Sequence, residues 1–177
     1  DLRMSRGLGD VYKRQVLLLA ILLLCLCVWR LTPRTFGQMT GADPQTISSL
    51  SGTAVLGGNR DGTPYMESYT LPTSTAGDEA FRDILSLPCQ SGYREDLRNL
   101  LPWAVDSAGS GSAYDGRSVT LILVWGTSAD ETCSLVMTGG QIVVGRPNHD
   151  GFLIYHLLDT TLLDQLTEYL MTHGEKG

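Results

Sequence analysis

The sequence predicts an α+β fold: an N-terminal transmembrane helix, then one small domain with an antiparallel sheet of about five or six strands and two main helices. Three stretches carry that expectation. Val16 to Trp29, VLLLAILLLCLCVW, runs fourteen residues without charge, proline or glycine. Val119 to Gly145 holds short β-branched runs separated by turn signals, among them Gly139-Gly140. Asp159 to Gly174 places Leu162, Leu163, Leu166, Tyr169 and Leu170 at helical spacing. Neighbouring strands bracketed by helices suit an antiparallel sheet with its helices on one face.

The apolar run sets placement. A helix of fourteen residues covers roughly 21 Å, against a hydrocarbon core of about 30 Å. A cleaved signal peptide would need a small-x-small site, and the exit reads Cys27-Val28-Trp29-Arg30-Leu31-Thr32-Pro33-Arg34. A lipid-modified cysteine would need a small residue before it, yet Leu24 precedes Cys25 and Leu26 precedes Cys27. The shortfall is traced to the preceding residues instead. Ser5 to Gln15, SRGLGDVYKRQ, resembles the in-frame translation of a transposase-type sequencing adapter, codon for codon over eleven residues. On that resemblance residues 1–15 are foreign to the natural protein, and a native span of about 20 residues begins upstream. The expected organisation is leader 1–15, truncated transmembrane helix 16–31, connector 32–42 and domain 43–177. Arg30 and Arg34 weakly favour a cytoplasmic domain. A hydrophobic segment so near the chain start acts as an uncleaved signal-anchor, so a single-pass protein of the cell membrane with an extracytoplasmic C-terminal domain is expected.

Thr35 to Gly177 is 143 residues, enough for one domain with a real core. Seven basic against seventeen acidic side chains give it a net charge of −10, which disfavours nucleic acid as a partner. Cys25 and Cys27 serve as small hydrophobes in the apolar helix. Cys89 and Cys133 are the candidate disulfide, closing a loop of about 45 residues worth roughly 4 kcal/mol if unstrained; two unpaired thiols are the alternative.

In chain order, Pro33 and Gly37 break regular structure in the connector, where Phe36 and Met39 are candidate anchors onto the domain. Thr46 to Leu56 reads as a strand, Gly57 to Gly62 as a loop and Tyr65 to Leu71 as the return strand. Thr75 and Asp78 precede Phe81, Ile84 and Leu85, which predicts a helix over roughly Asp78 to Leu87, ended by Pro88. Tyr93 to Trp103 reads either as a helical turn or as extended chain, and Asp106 to Gly116 as a surface loop. Val119 to Trp125, apolar on both faces, predicts a central strand covered on both sides or on its longer face. Thr132 to Thr138, Gln141 to Gly145 and Phe152 to Leu157 continue the meander; Asp159 or Thr160 caps the last helix and Gly174 stops it.

No H-E-x-x-H, paired C-x-x-C, G-x-S-x-G, P-loop or G-x-G-x-x-G occurs, so no residue is assigned as catalytic, cofactor-binding or metal-ligating, and no cofactor is implied. Ser110, between glycines, stands in a linker-like frame. Arg82, Arg94 and Arg98 concentrate basic charge suited to a carboxylate or phosphate, although Asp83, Glu95 and Asp96 beside them make surface ion pairing the simpler account. Tyr93, Arg94, Arg98, Trp103 and Tyr114 form the candidate interaction surface. His149 or His156 with Asp150, Asp159 or Glu131 is the rival: an acid/base or metal site in a membrane-anchored hydrolase or metal-dependent enzyme.

Through the apolar helix, the Tyr93-Arg94 to Arg98-Asn99-Leu100-Leu101-Pro102-Trp103 stretch, Val119 to Trp125 and the terminal amphipathic helix, residues 16–177 are similar to small single-pass membrane-anchored proteins of Gram-positive gut bacteria. That resemblance implies one α+β domain outside the membrane and brings no activity with it. The expected function is a membrane-anchored extracytoplasmic binding or interaction module, more plausibly not an enzyme. Its expected partners are the lipid bilayer, through Val16 to Trp29, and another envelope protein.

Overall fold

The computed structural model describes residues 2–100, 116–125, 131–147 and 151–177, with backbone alone over 2–10. The chain divides into two compact units, Asp1–Thr32 and Pro33–Gly177.

The first unit is one helix, α1 (Leu2–Leu31). Its segment Val11–Leu31, 21 residues with a mean hydropathy of 2.1, is long and apolar enough to cross a membrane, and none of it is buried. At 1.5 Å per residue it spans about 31 Å, and the helix runs without a break through Lys13, Arg14 and Gln15 into the apolar run. These three residues are good helix formers, and the stems of Lys13 and Arg14 can lie along apolar surface. Near its end, Thr32 turns its amide and hydroxyl onto the Val28 carbonyl, and Pro33 follows.

The second unit begins earlier than the sequence suggested. The stretch expected as a connector belongs to the domain: Arg34 exchanges backbone bonds with Tyr93, and α2 (Phe36–Thr40) buries Phe36 and Met39 completely. Thr35 and Gln38 form a reciprocal capping box at its start. At its end Arg146 donates to the Met39 and Gln38 carbonyls at 2.7 and 2.8 Å, satisfying groups the short helix leaves open.

Eight antiparallel strands follow: β1 (Ser49–Arg60), β2 (Thr63–Thr75), β3 (Tyr93–Glu95), β4 (Arg117–Val124), β5 (Thr132–Thr138), β6 (Gln141–Gly145), β7 (Phe152–Leu157) and β8 (Glu175–Lys176). They lie in the order β3-β7-β6-β5-β4-β1-β2-β8. The expected five or six strands are the long ones. The two additions are edge pieces of three and two residues, too short to show any alternation of side chains. The β1–β2 hairpin is also longer than expected, because Asp61 and Gly62 both take positive φ (55° and 82°), the two-residue turn whose twist matches its strands. The glycines read as a loop therefore lie within β1. Gly139-Gly140 makes the equivalent turn between β5 and β6.

Among the described residues two longer helices complete the domain, α3 (Glu79–Gln90) and α4 (Leu162–His173). Pro88 does not end α3 but sits within its last turn. The Asp78 carboxylate turns back to accept from the Thr75 amide and hydroxyl, closing the turn after β2 rather than capping α3. Phe81 and Ile84 of α3 and Leu162, Leu166 and Leu170 of α4 join Leu50, Ala54, Val119, Leu121, Leu123, Leu135, Met137, Ile142 and Val144 in one core. Gly52 leaves room there for Leu121 and Leu170, each 3.1 Å from where a β-carbon would stand. Strand β4 is central, and its helix-facing side chains are fully buried while Ile122 on the other face is 44% exposed. The cover lies on one face.

Candidate functional site

The outward face of the β3–β7 pair collects the candidate residues. Arg94 stands directly opposite His156, and Gln141 of β6 pairs with His156 on its other side. Side chains of such partners rise on the same face with β-carbons about 5 Å apart. After β3 the chain bends into a 3-10 turn, Leu97–Leu100, anchored by Asn99, whose amide group donates to the Ile154 carbonyl and accepts from the Ile154 amide at 2.9 and 2.8 Å. That anchorage brings Asp96 and Arg98 beside the histidine.

Asp96 is the hub. Its Oδ2 accepts from Arg98 Nη2 at 2.8 Å and Nε at 3.1 Å, and lies 2.8 Å from His156 Nε2. Its Oδ1 accepts from the Arg98 amide at 2.8 Å. The carboxylate is only 11% exposed, against 41% for Arg98 and 34% for His156. The Arg98 side chain above all, then the Arg98 amide and His156, hold the Asp96 carboxyl down to about 2. An ionised Asp96 makes Nε2 of His156 the donor in that contact. The Arg94 side chain, by contrast, is exposed and has no hydrogen-bond or ion-pair partner among the described residues.

The structure redistributes the other candidates. Tyr93 is no surface residue: it faces inward on β3, fully buried, and its hydroxyl donates to the Pro88 carbonyl at 2.6 Å. Burial first, then the neighbouring Cys89, pushes that hydroxyl up. Trp103, Tyr114, Ser110, His149 and Asp150 lie outside the described residues. Asp159 is not a partner for His156; it accepts from the Thr161 amide and hydroxyl ahead of α4. His173 stacks on Tyr169 with ring centroids 4.2 Å apart. Among the described residues no three His, Cys, Asp or Glu side chains converge as metal ligands. Cys89 and Cys133 stand as free thiols, half-buried in the last turn of α3 and buried on the core side of β5, so the unpaired alternative describes them here. Burial pushes them up to about 11 and about 12, leaving both protonated and unreactive near neutrality.

Two clefts flank the domain. One, of about 640 Å³, lies between α4 and the β1–β2 hairpin, where Arg117 pairs with Asp164. The other, of about 520 Å³, opens on the uncovered sheet face beside Ile122, Ser134 and Phe152. Phe152 belongs to the same face of β7 as His156, and its ring lies over Gly145, 3.3 Å from where a β-carbon would be.

The pairing of His156 with Asp96 was missed in the sequence, where the two stand 60 positions apart. A signal existed in Arg94, Asp96 and Arg98, alternate positions that an extended chain sends to one side. The chain matches no family model, no curated protein and no solved structure.

Proposed function

We propose that this chain is a single-pass, membrane-anchored binding module, with its domain outside the cytoplasm and another envelope protein as its partner. Its binding face is the outward side of β3 and β7. The observation that carries the reading is the division of labour on that face: both oxygens of Asp96 are engaged by its own neighbours, whereas the exposed Arg94 side chain has no partner among the described residues. Phe152, 53% exposed at the other end of the same strand, and Ile122 give the uncovered sheet exposed apolar area in a second row. The wholly exposed apolar segment Val11–Leu31 supports the anchor.

Alkaline carbonate extraction of the full chain should leave it in the membrane fraction, and recovery in the soluble fraction would overturn the anchor. Protease added to intact protoplasts should remove the domain; protection would reverse the orientation. A photo-crosslinker in place of Arg94 should give a discrete membrane-protein adduct that one in place of Arg117, on the far cleft, does not give. Equal adducts from both positions would remove this face from the reading.

A second reading rests on the 2.8 Å contact between His156 and Asp96. A carboxylate that holds one imidazole nitrogen frees the other as a general base, which would serve a hydrolase, or as a ligand in a metal-dependent enzyme. Ester or amide turnover abolished by His156→Gln, or stoichiometric zinc by elemental analysis, would shift the function to that reading.

A further inference from the structure

We propose that the β3–β7 face takes a single carboxylate, carried by an acidic partner segment, and holds it between the guanidinium groups of Arg94 and Arg98. This rests on the reading of that face as the module's binding surface. Four charged or titratable side chains meet there: Arg94 on β3, Asp96 and Arg98 just beyond it, and His156 on β7. Asp96 cancels one of the two arginines, so the face keeps an excess positive charge within a domain, Pro33–Gly177, of net charge −9. The excess is directed outward. The Asp96 oxygens are occupied by the Arg98 amide, Nε and Nη2 and by His156 Nε2, whereas Arg98 Nη1 makes no bond and Arg94 has its whole fork available. Arg98 is also held in place by two bonds to one carboxylate oxygen, so an incoming anion meets a donor whose orientation is already set.

The field of the whole domain selects the kind of anion. Long-range repulsion from an excess of nine negative charges grows with the charge of the ligand, which favours a lone carboxylate over a doubly charged phosphate.

The test uses the full chain, 15N-labelled, in nonionic detergent, with the blocked peptide Ac-Leu-Glu-Leu-amide, its glutamine counterpart and inorganic phosphate as probes. The glutamate peptide should shift the Arg94 Nε and His156 ring signals saturably, and bind at least about tenfold more tightly than the glutamine peptide. Arg94→Gln should abolish that preference while leaving the amide signals of Ile154 and Leu157 in place, which shows the strand intact. Equal binding of the two peptides would overturn the inference, as would phosphate binding more tightly than the glutamate peptide, or no saturable shift. Equal peptide binding together with a specific cross-link from position 94 would leave the binding module standing and remove only the carboxylate.

Discussion

Asp96 shows how one residue can organise a site while remaining almost out of reach of solvent. Its folded value of about 2 lies below the ordinary 3.8, so the ionised form is the one the fold favours. For a depressed carboxyl, the stability it confers is present above the unfolded value and is lost as pH falls through the folded one. The shift corresponds to about 2 kcal/mol. Asp96→Asn should therefore be less stable than the wild type at pH 7 by about that amount, with the gap closing as pH drops from about 4 to about 2. Urea unfolding of both proteins across this range checks it, and a gap independent of pH would refute the assignment. Tyr93, on the same strand, illustrates the opposite fate. Its ring lies in the core and its hydroxyl donates to the Pro88 carbonyl, so Tyr93→Phe leaves that carbonyl with only the 3.3 Å bond from the Ser91 amide and should cost about 1 kcal/mol in thermal or chemical unfolding.

At the scale of elements, the edges of the sheet carry the departures from expectation. Strand β8 exists because Gly174 lets the chain turn from α4 directly onto β2, where Glu175 and Lys176 pair with Thr70 and Tyr69. A β-carbon at Gly174 would sit 2.5 Å from the Leu170 carbonyl oxygen and 3.2 Å from the Thr70 carbonyl, both backbone atoms that cannot step aside. Gly174→Ala should cost about 1 to 3 kcal/mol and detach the strand. The readout is hydrogen exchange at the Gly177 amide, which donates to Ser68; unchanged protection there would show that the turn tolerates a side chain. Lys176 reinforces the same edge by reaching Glu67 at 3.0 Å, an exposed pair that adds little by itself. At the opposite edge β3 is nearly as brief, pairing with Tyr155, His156 and Leu157 of β7.

For the whole molecule, the resemblance of Ser5 to Gln15 to a translated adapter bears on what precedes the apolar segment. We propose that these residues are foreign to the natural gene. Re-sequencing the locus with a different library chemistry should return other codons upstream of Val16, and recovery of SRGLGDVYKRQ would refute the proposal. The helical conformation of α1 through Lys13 and Arg14 does not decide the matter, since any run of good helix formers beside an apolar segment propagates a helix.

What the sequence determined by itself was everything written in local periodicity. The apolar segment, the meander from Val119 to Gly145 with its Gly139-Gly140 turn, and the stripe of Leu162, Leu166 and Leu170 each declare their element, because burial on one face imposes a spacing of two or of 3.6 residues. Arg94 and Arg98 were legible as an unusual concentration of charge. Tertiary structure decided what they do. Tyr93 and Arg94 are adjacent in the chain and differ only in which side of β3 they occupy, and that side was set by pairing with β7, 60 residues away. The same pairing delivered His156 to Asp96. Strands of two or three residues are too short to carry a period, and a hydrogen bond between distant side chains depends on register; both are consequences of how the sheet closes, which no local window contains.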